Sequence, residues 1–249
     1  MSPPILTVQG LSYSYPDRPG VLHGVTLRLD TSQRVGLVGP NGAGKTTLFL
    51  LISGVLRPRN GGIELAGRAV EAGRFNPDVA YLFQSPEDQL FCATVFDDVA
   101  FGPLNMGLAD EEVQRRVSDA LQRVDCQALS DRSPHHLSGG EKRLVALASI
   151  LAMEPQVLLL DEPTANLDSA SRRNVINVLQ GAQEALFVAS HDLEFLLETC
   201  AEVILLDGGS VVAAGPIVEV LGNEELMRAH NLEKPHSLIP HHEASHRHR

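Results

Sequence analysis

The sequence predicts an α/β fold in which a parallel or mixed sheet is covered by helices, an antiparallel β layer lies at the N-terminal side, and a helical subdomain is inserted. Three observations predict it. Val35-Gly-Leu-Val38, Val157-Leu-Leu-Leu160 and Phe187-Val-Ala-Ser190 are near-continuous apolar runs, which suit strands buried on both faces of a parallel sheet. A glycine-rich loop joins the first of these runs to a helical stretch. Between about residues 94 and 137 the pattern turns helical.

The elements follow in order. Ile5 to Gln9, Val25 to Leu29 and Gly62 to Leu65 are weaker apolar runs and form the expected antiparallel layer. Lys45 to Ile52 reads as a helix with Gly54 as its C-cap. Val113, Val117, Ala120, Leu121 and Val124 fall on one helix face, and Asp110, Glu111 and Glu112 stand at its start, where acids complement the helix dipole. Val203 to Leu206 and Ser210 to Ala214, joined by Asp207-Gly208-Gly209, read as a hairpin. The helical subdomain is expected over about residues 94–153, inside one domain spanning 1–229. Residues 230–249 hold six of the ten histidines and two prolines and are expected to be a flexible tail.

Composition narrows the function. With 31 acidic residues against 20 Lys plus Arg, the net charge of −11 argues against a nucleic-acid binder that relies on a general basic face, because such binding neutralises phosphates with Lys and Arg. Cys92, Cys126 and Cys200 are widely spaced, form no disulfide or zinc pattern, and suit a reducing compartment. No stretch approaches the roughly 20 apolar residues of a membrane span, and Met-Ser-Pro-Pro has no signal-peptide character. Contact with a membrane is therefore expected to run through a partner.

Gly39-Pro-Asn-Gly-Ala-Gly-Lys-Thr46 fits G-x-x-x-x-G-K-[ST] and sits between a strand and a helix, the context that gives the motif its meaning. Gly39, Asn41, Gly42 and Gly44 let the backbone wrap phosphates, and the helix N-terminus adds partial positive charge. Lys45 reaches the β- and γ-phosphates, Thr46 offers a hydroxyl to Mg²⁺, and Thr47 follows it. The apolar run ending in Asp161-Glu162 supplies the second half: Asp161 as a Mg²⁺ carboxylate, Glu162 as general base for the attacking water.

Leu137-Ser-Gly-Gly-Glu141 contains S-x-x-E, a capping box, ahead of the apolar face Leu144, Leu147, Ala148 and Leu151. It can be a well-capped helix and nothing more, or an anion site at a helix end with two glycines. Here the chain resembles an ATP-binding-cassette (ABC) ATPase, a P-loop NTPase family whose signature motif is LSGGE. Further motifs match in order: Tyr15 the aromatic that stacks on adenine, Gln84 the Q-loop glutamine, Asp168 the D-loop, His191 the switch histidine. Taken singly, each has a plainer reading: a packed surface aromatic, a solvated loop residue, a helix N-cap, a strand-end core histidine.

The resemblance implies ATP and Mg²⁺ as cofactors, with Gln84 touching water and metal and His191 contacting the γ-phosphate. It also implies a head-to-tail dimer. Ser138, Gly139, Gly140 and Asp168 of one subunit would complete the site of the other in trans, and a second ATPase subunit becomes the first expected partner. Soluble relatives in DNA repair and translation form a second class, but they usually carry inserted modules or a second cassette, and this cassette is single and acidic. Ser85 to Phe91 and Thr94 to Pro103 are similar to the energy-coupling-factor (ECF) subgroup. That implies a transmembrane coupling subunit docking near Phe91 and Phe101, a substrate-binding membrane subunit, no nucleic acid, and a place on the cytoplasmic face of the membrane. The cargo implied is a transition metal ion, cobalt first and nickel next, with a vitamin such as biotin as the alternative.

Overall fold

Two sheets share one interior. The computed structural model describes residues 3–239. The first sheet holds β1 (Leu6–Tyr13), β2 (Leu22–Leu29), β4 (Asn60–Leu65) and β5 (Arg68–Ala69) in the order β2-β1-β4-β5, antiparallel throughout. Leu6 stands opposite Leu29 and Leu65, and Val8 opposite Leu27 and Ile63. Period-2 alternation thus turns one apolar face inward. This is the expected layer, with strands longer than the apolar runs alone suggest.

The second sheet runs β10-β9-β3-β8-β7-β6. Its members are β3 (Arg34–Val38), β6 (Val79–Leu82), β7 (Val157–Asp161), β8 (Ala185–Ala189), β9 (Glu202–Asp207) and β10 (Ser210–Pro216). Every pairing is parallel except the β9–β10 hairpin. Alternate residues of β7 and β8 enter opposite cores. Leu158, Leu160, Leu186 and Val188 face the helical side, while Val157, Leu159 and Phe187 face the first sheet. Both faces are covered, which is why these strands are apolar throughout. Ser190 lies one residue past β8, and strand β6, not expected from the sequence, extends the sheet beyond β7.

The helices are α1 (Lys45–Ile52), α2 (Val95–Asn105), α3 (Asp110–Arg123), α4 (Gly139–Leu151), α5 (Ser169–Gln180), α6 (Leu193–Thr199), α7 (Ile217–Gly222) and α8 (Glu224–Ala229). Helix α1 ends on Ser53, so Gly54 follows the cap rather than forming it. The acids of α3 occupy its first turn, and Val113, Val117, Ala120 and Leu121 are buried. Val124 is buried too, but just beyond the last helical turn. Helices α2, α3 and α4 pack on one another, and α4 also packs on β6, so the inserted helices continue into the sheet's core.

The C-terminal segment departs from expectation. His230 Nδ1 lies 2.7 Å from Asp207 Oδ2, Leu232 and Leu238 pack on the core, and Ser237 N donates to Glu194 Oε1 at 3.1 Å. Packing therefore runs to about residue 239, because two leucines and two polar anchors fix this stretch. Four histidines of the expected tail, His241, His242, His246 and His248, lie outside the described residues.

Candidate nucleotide site

Ligand sites in open α/β sheets form outside the carboxyl ends of the strands. Three neighbouring strand ends do so here: β3 leads into the glycine loop, β7 ends in Asp161-Glu162, and β8 leads into Ser190-His191. Gly39 is forced by contact, since a Cβ there would sit 1.9 Å from Leu206 O. Gly44 holds a left-handed φ of 108° ahead of α1, which has no side-chain cap, so the first N–H groups of α1 point at the cleft without a capping side chain.

Lys45 is 8% exposed, and its Nζ donates to Gly39 O at 2.7 Å and to Pro40 O at 3.2 Å. Burial lowers its pKa, with Glu162 and Asp161 pulling the other way. Thr46 Oγ1 donates to Asp161 Oδ2 at 2.7 Å, and Tyr81 OH donates to the same oxygen at 3.0 Å. Burial and the Asp161 charge push the Tyr81 phenol well above its ordinary range, so it remains a donor.

Glu162 is 8% exposed and sits at a φ of 51°, a conformation uncommon for a residue with a side chain. Its Oε2 accepts from Ser190 Oγ and His191 N, both at 3.2 Å. Its buried Oε1 has no hydrogen-bond partner among the described residues and lies 3.5 Å from His191 Nε2. One oxygen is thus anchored, and the other is a buried acceptor whose unpaired state is costly unless a donor arrives.

The cleft lining brings together Asn41, Gly42, Gly44, Lys45, Thr46 and Thr47 with Gln84, Asp161, Glu162 and His191. Of the other expected residues, Gly39 supports Lys45, and Tyr15 OH lies 3.3 Å from Thr47 Oγ1 while its ring packs edge-on against Tyr13. Ser138, Gly139, Gly140 and Asp168 do not line this cleft. Ser138 caps α4 in a complete capping box with Glu141, and Gly139 and Gly140 open that helix. Asp168 caps α5 through Ala170 N and Ser171 N, both at 2.9 Å. A Cβ on Gly140 would meet Ser171 Oγ at 2.2 Å, so the two caps lie side by side.

Four contributors are not among the expected site residues. Arg18 lines the cleft. Tyr81 holds Asp161. Buried Arg143 donates to Phe83 O at 2.8 Å and to Gln84 O at 2.6 Å, and Gln89 Nε2 donates to Ala146 O at 2.8 Å and Ser149 Oγ at 2.9 Å. These bonds fasten residues 83–89 to α4. In the sequence Arg143 stands out only as a basic residue directly before the mostly apolar run Leu144 to Leu151.

The donor set suits a magnesium nucleotide. A hydroxyl, a carboxylate and an amide are hard oxygen donors of the kind that divalent magnesium takes, and Glu162, whose Oε1 is a buried acceptor without a partner, lines the same cleft.

Comparison with known proteins agrees with this geometry. A family profile described as ABC transporter matches residues 22–165. A Synechocystis sp. chain named as an ABC transporter ATP-binding protein is 50% identical over 95% of this chain and 83% of its own length. The energy-coupling factor transporter ATP-binding protein EcfA of Methanothermobacter thermautotrophicus is 40% identical over 93% of this chain and 77% of its own length. The structure of CbiO1 from Clostridium perfringens, part of the ABC transporter complex CbiONQ, superposes with a TM-score of 0.80 at 34% identity, covering 92% of this chain and 95% of that one. The chain belongs to the ABC transporter ATP-binding family, whose members hydrolyse ATP to power transport.

Proposed function

We propose that this chain is the ATPase of an ECF-type importer that takes up a transition metal ion, cobalt first and nickel next. The observation that carries the hydrolytic part is Glu162: one oxygen anchored by Ser190 and His191, the other facing the cleft beside Lys45, Thr46 and Asp161. Glu162 Oε1 accepts a proton from the attacking water, whose oxygen bonds to the γ-phosphorus as the bond to the ADP oxygen breaks. Lys45 and the α1 N-terminus hold the phosphates, and His191 stands beside Glu162 to contact the γ-phosphate. Magnesium, when bound, offsets phosphate charge, and Thr46, Asp161 and Gln84 are the residues that would hold it.

Ser138, Gly139, Gly140 and Asp168 act in trans on this reading, completing the cleft of a second ATPase subunit. The transport part rests on the EcfA and CbiO1 likeness and on an apolar groove beside the cleft. Phe91 and Phe101 are 61% and 48% exposed and pack edge to face, ring centroids 4.9 Å apart, with Val55 and Phe75 along the same groove. Such exposed aromatic patches mark interaction sites, and a transmembrane coupling subunit, met by this chain at the cytoplasmic face of the membrane, suits this one. No described helix is long and apolar enough to cross a membrane. On the ECF reading a separate membrane subunit binds the cargo, and a vitamin of the biotin type is the alternative.

Purifying the chain with its membrane partners and identifying what the complex carries tests the proposal. Bound or transported Co²⁺ or Ni²⁺ is expected. A complex that carries a vitamin and no metal would replace the cargo assignment, and a chain that binds no membrane subunit would remove the importer reading.

A further inference from the structure

The loop between β1 and β2 places a second cation over the glycine loop. Arg18 N and Tyr15 O, and Tyr15 N and Arg18 O, bond reciprocally at 3.3 and 3.0 Å around Pro16-Asp17. Gly20 N donates to Ser14 Oγ at 2.9 Å and closes the turn from the other side. The turn is therefore built, and Pro16 pre-sets its first corner. From it the Arg18 side chain crosses to the cleft and donates from Nη2 to Gly42 O at 3.2 Å. Gly42, at a φ of 80°, admits this approach; a Cβ there would lie 3.1 Å from Nη2.

Two features leave this arginine free to meet an anion at the cleft. No carboxylate lies within 4.0 Å of its guanidinium among the described residues, and of the described arginines that lack such a partner it is the one that lines the cleft. Gly42 O also uses only one of its five N–H donors, so the fork retains donors at the cleft. Lys45 is the other Lys or Arg lining the cleft, against two carboxylates, Asp161 and Glu162. A triphosphate brings several negative charges into this balance, and Lys45 alone does not match them. A planar guanidinium at the rim suits bidentate contact with phosphate oxygens.

We propose that Arg18 is a nucleotide-binding residue that contacts the phosphate chain, held over the glycine loop by Gly42 O and by the Tyr15 turn. It makes the cleft prefer nucleotides carrying more phosphate charge. This rests on the ATP-site assignment above.

The test is nucleotide binding to the purified chain in magnesium-free buffer, by calorimetry or competition, with ATP and AMP as probes. Arg18→Ala, Arg18→Gln and Arg18→Lys are compared with the unaltered chain. Hydrogen bonds to charged groups are the stronger class; with discounting for an exposed site, Ala and Gln are each expected to weaken ATP binding about 5- to 20-fold. Lys should stay within about 3-fold, AMP affinity should change little, and added salt should weaken the unaltered chain more than the Ala variant. Gln can still donate to Gly42 O, so a Gln variant that binds ATP normally would overturn the proposal, the arginine then being only a loop tie. Equal losses for AMP and ATP would overturn it as well. If the unaltered chain binds no ATP either without or with magnesium, the site assignment itself fails; if it binds and the Ala variant matches it, only the Arg18 proposal does.

Discussion

The strand-end cleft and the N-terminus of α4 both present groups suited to phosphate, yet they are finished differently. In the cleft three charged residues are buried, 8% exposed for Lys45, 2% for Asp161 and 8% for Glu162, while Arg18 stays exposed at the rim. They are fixed by bonds that span the sheet: Thr46 to Asp161, Ser190 and His191 to Glu162. At α4, Ser138 and Gly139 are exposed and the polar groups satisfy one another. The cleft keeps one buried acceptor without a partner, Glu162 Oε1. The helix end is complete in itself and exposed. A half-site of each kind in every chain is what a head-to-tail pair requires.

Substitutions can break this contrast, the largest effect first. Glu162→Gln should lower ATP turnover at least about 100-fold, the scale of a lost general base, while ATP binding persists and a nucleotide-dependent dimer accumulates in gel filtration. A variant that hydrolyses at the normal rate removes Glu162 from the chemistry. Lys45→Ala should weaken ATP binding to the isolated chain by about 10-fold or more, whereas Ser138→Arg should leave that binding intact and abolish ATP-driven dimerisation. Equal loss of binding in both would mean that the helix end does not act in trans.

Arg143→Ala joins the two regions and should have a smaller effect. It strips the donors from Phe83 O and Gln84 O, and a cost of about 1–3 kcal/mol in unfolding free energy is expected, read as a lower denaturation midpoint with ATP affinity retained. An unchanged midpoint would mean the loop is held by Gln89 alone. Smallest in the isolated chain are Phe91→Ala and Phe101→Ala, which should leave basal ATPase unchanged while reducing binding to the membrane partner. A matching drop in basal ATPase would place the two rings in the nucleotide machinery rather than in docking.

What the sequence made legible divides along similar lines. Buried parallel strands, the glycine loop and the capping box are local patterns, and each lies where its pattern put it. Strand β6 escaped because Val79-Ala80-Tyr81-Leu82 mixes a small residue and a partly buried tyrosine into its short run, a weaker pattern than the other buried strands carry. Tyr81 and Arg143 escaped because their roles depend on partners 80 and about 60 residues away. Histidine-rich composition pointed to a free tail from residue 230, but Leu232 and Leu238 are enough to fasten its first ten residues. Removing the chain after Lys234 would take Leu238 from the core and the Ser237 N–H from Glu194.

The capping box at α4 carries a consequence for how closure responds to salt. Ser138 Oγ donates to Glu141 Oε2 at 2.8 Å, and the Ser138 N–H donates to the same oxygen at 2.8 Å. These two bonds hold the Glu141 carboxyl below its usual pKa, so it is an anion at neutral pH. For Ser138 to donate to a phosphate held by a partner chain, its hydroxyl must trade one anionic acceptor for another. The trade leaves the number of hydrogen bonds unchanged and brings the incoming phosphate toward an existing negative charge. On the proposed head-to-tail arrangement, closure then gains little from that hydroxyl itself and depends on long-range attraction between the helix end and the phosphate, an attraction that ions in solution weaken.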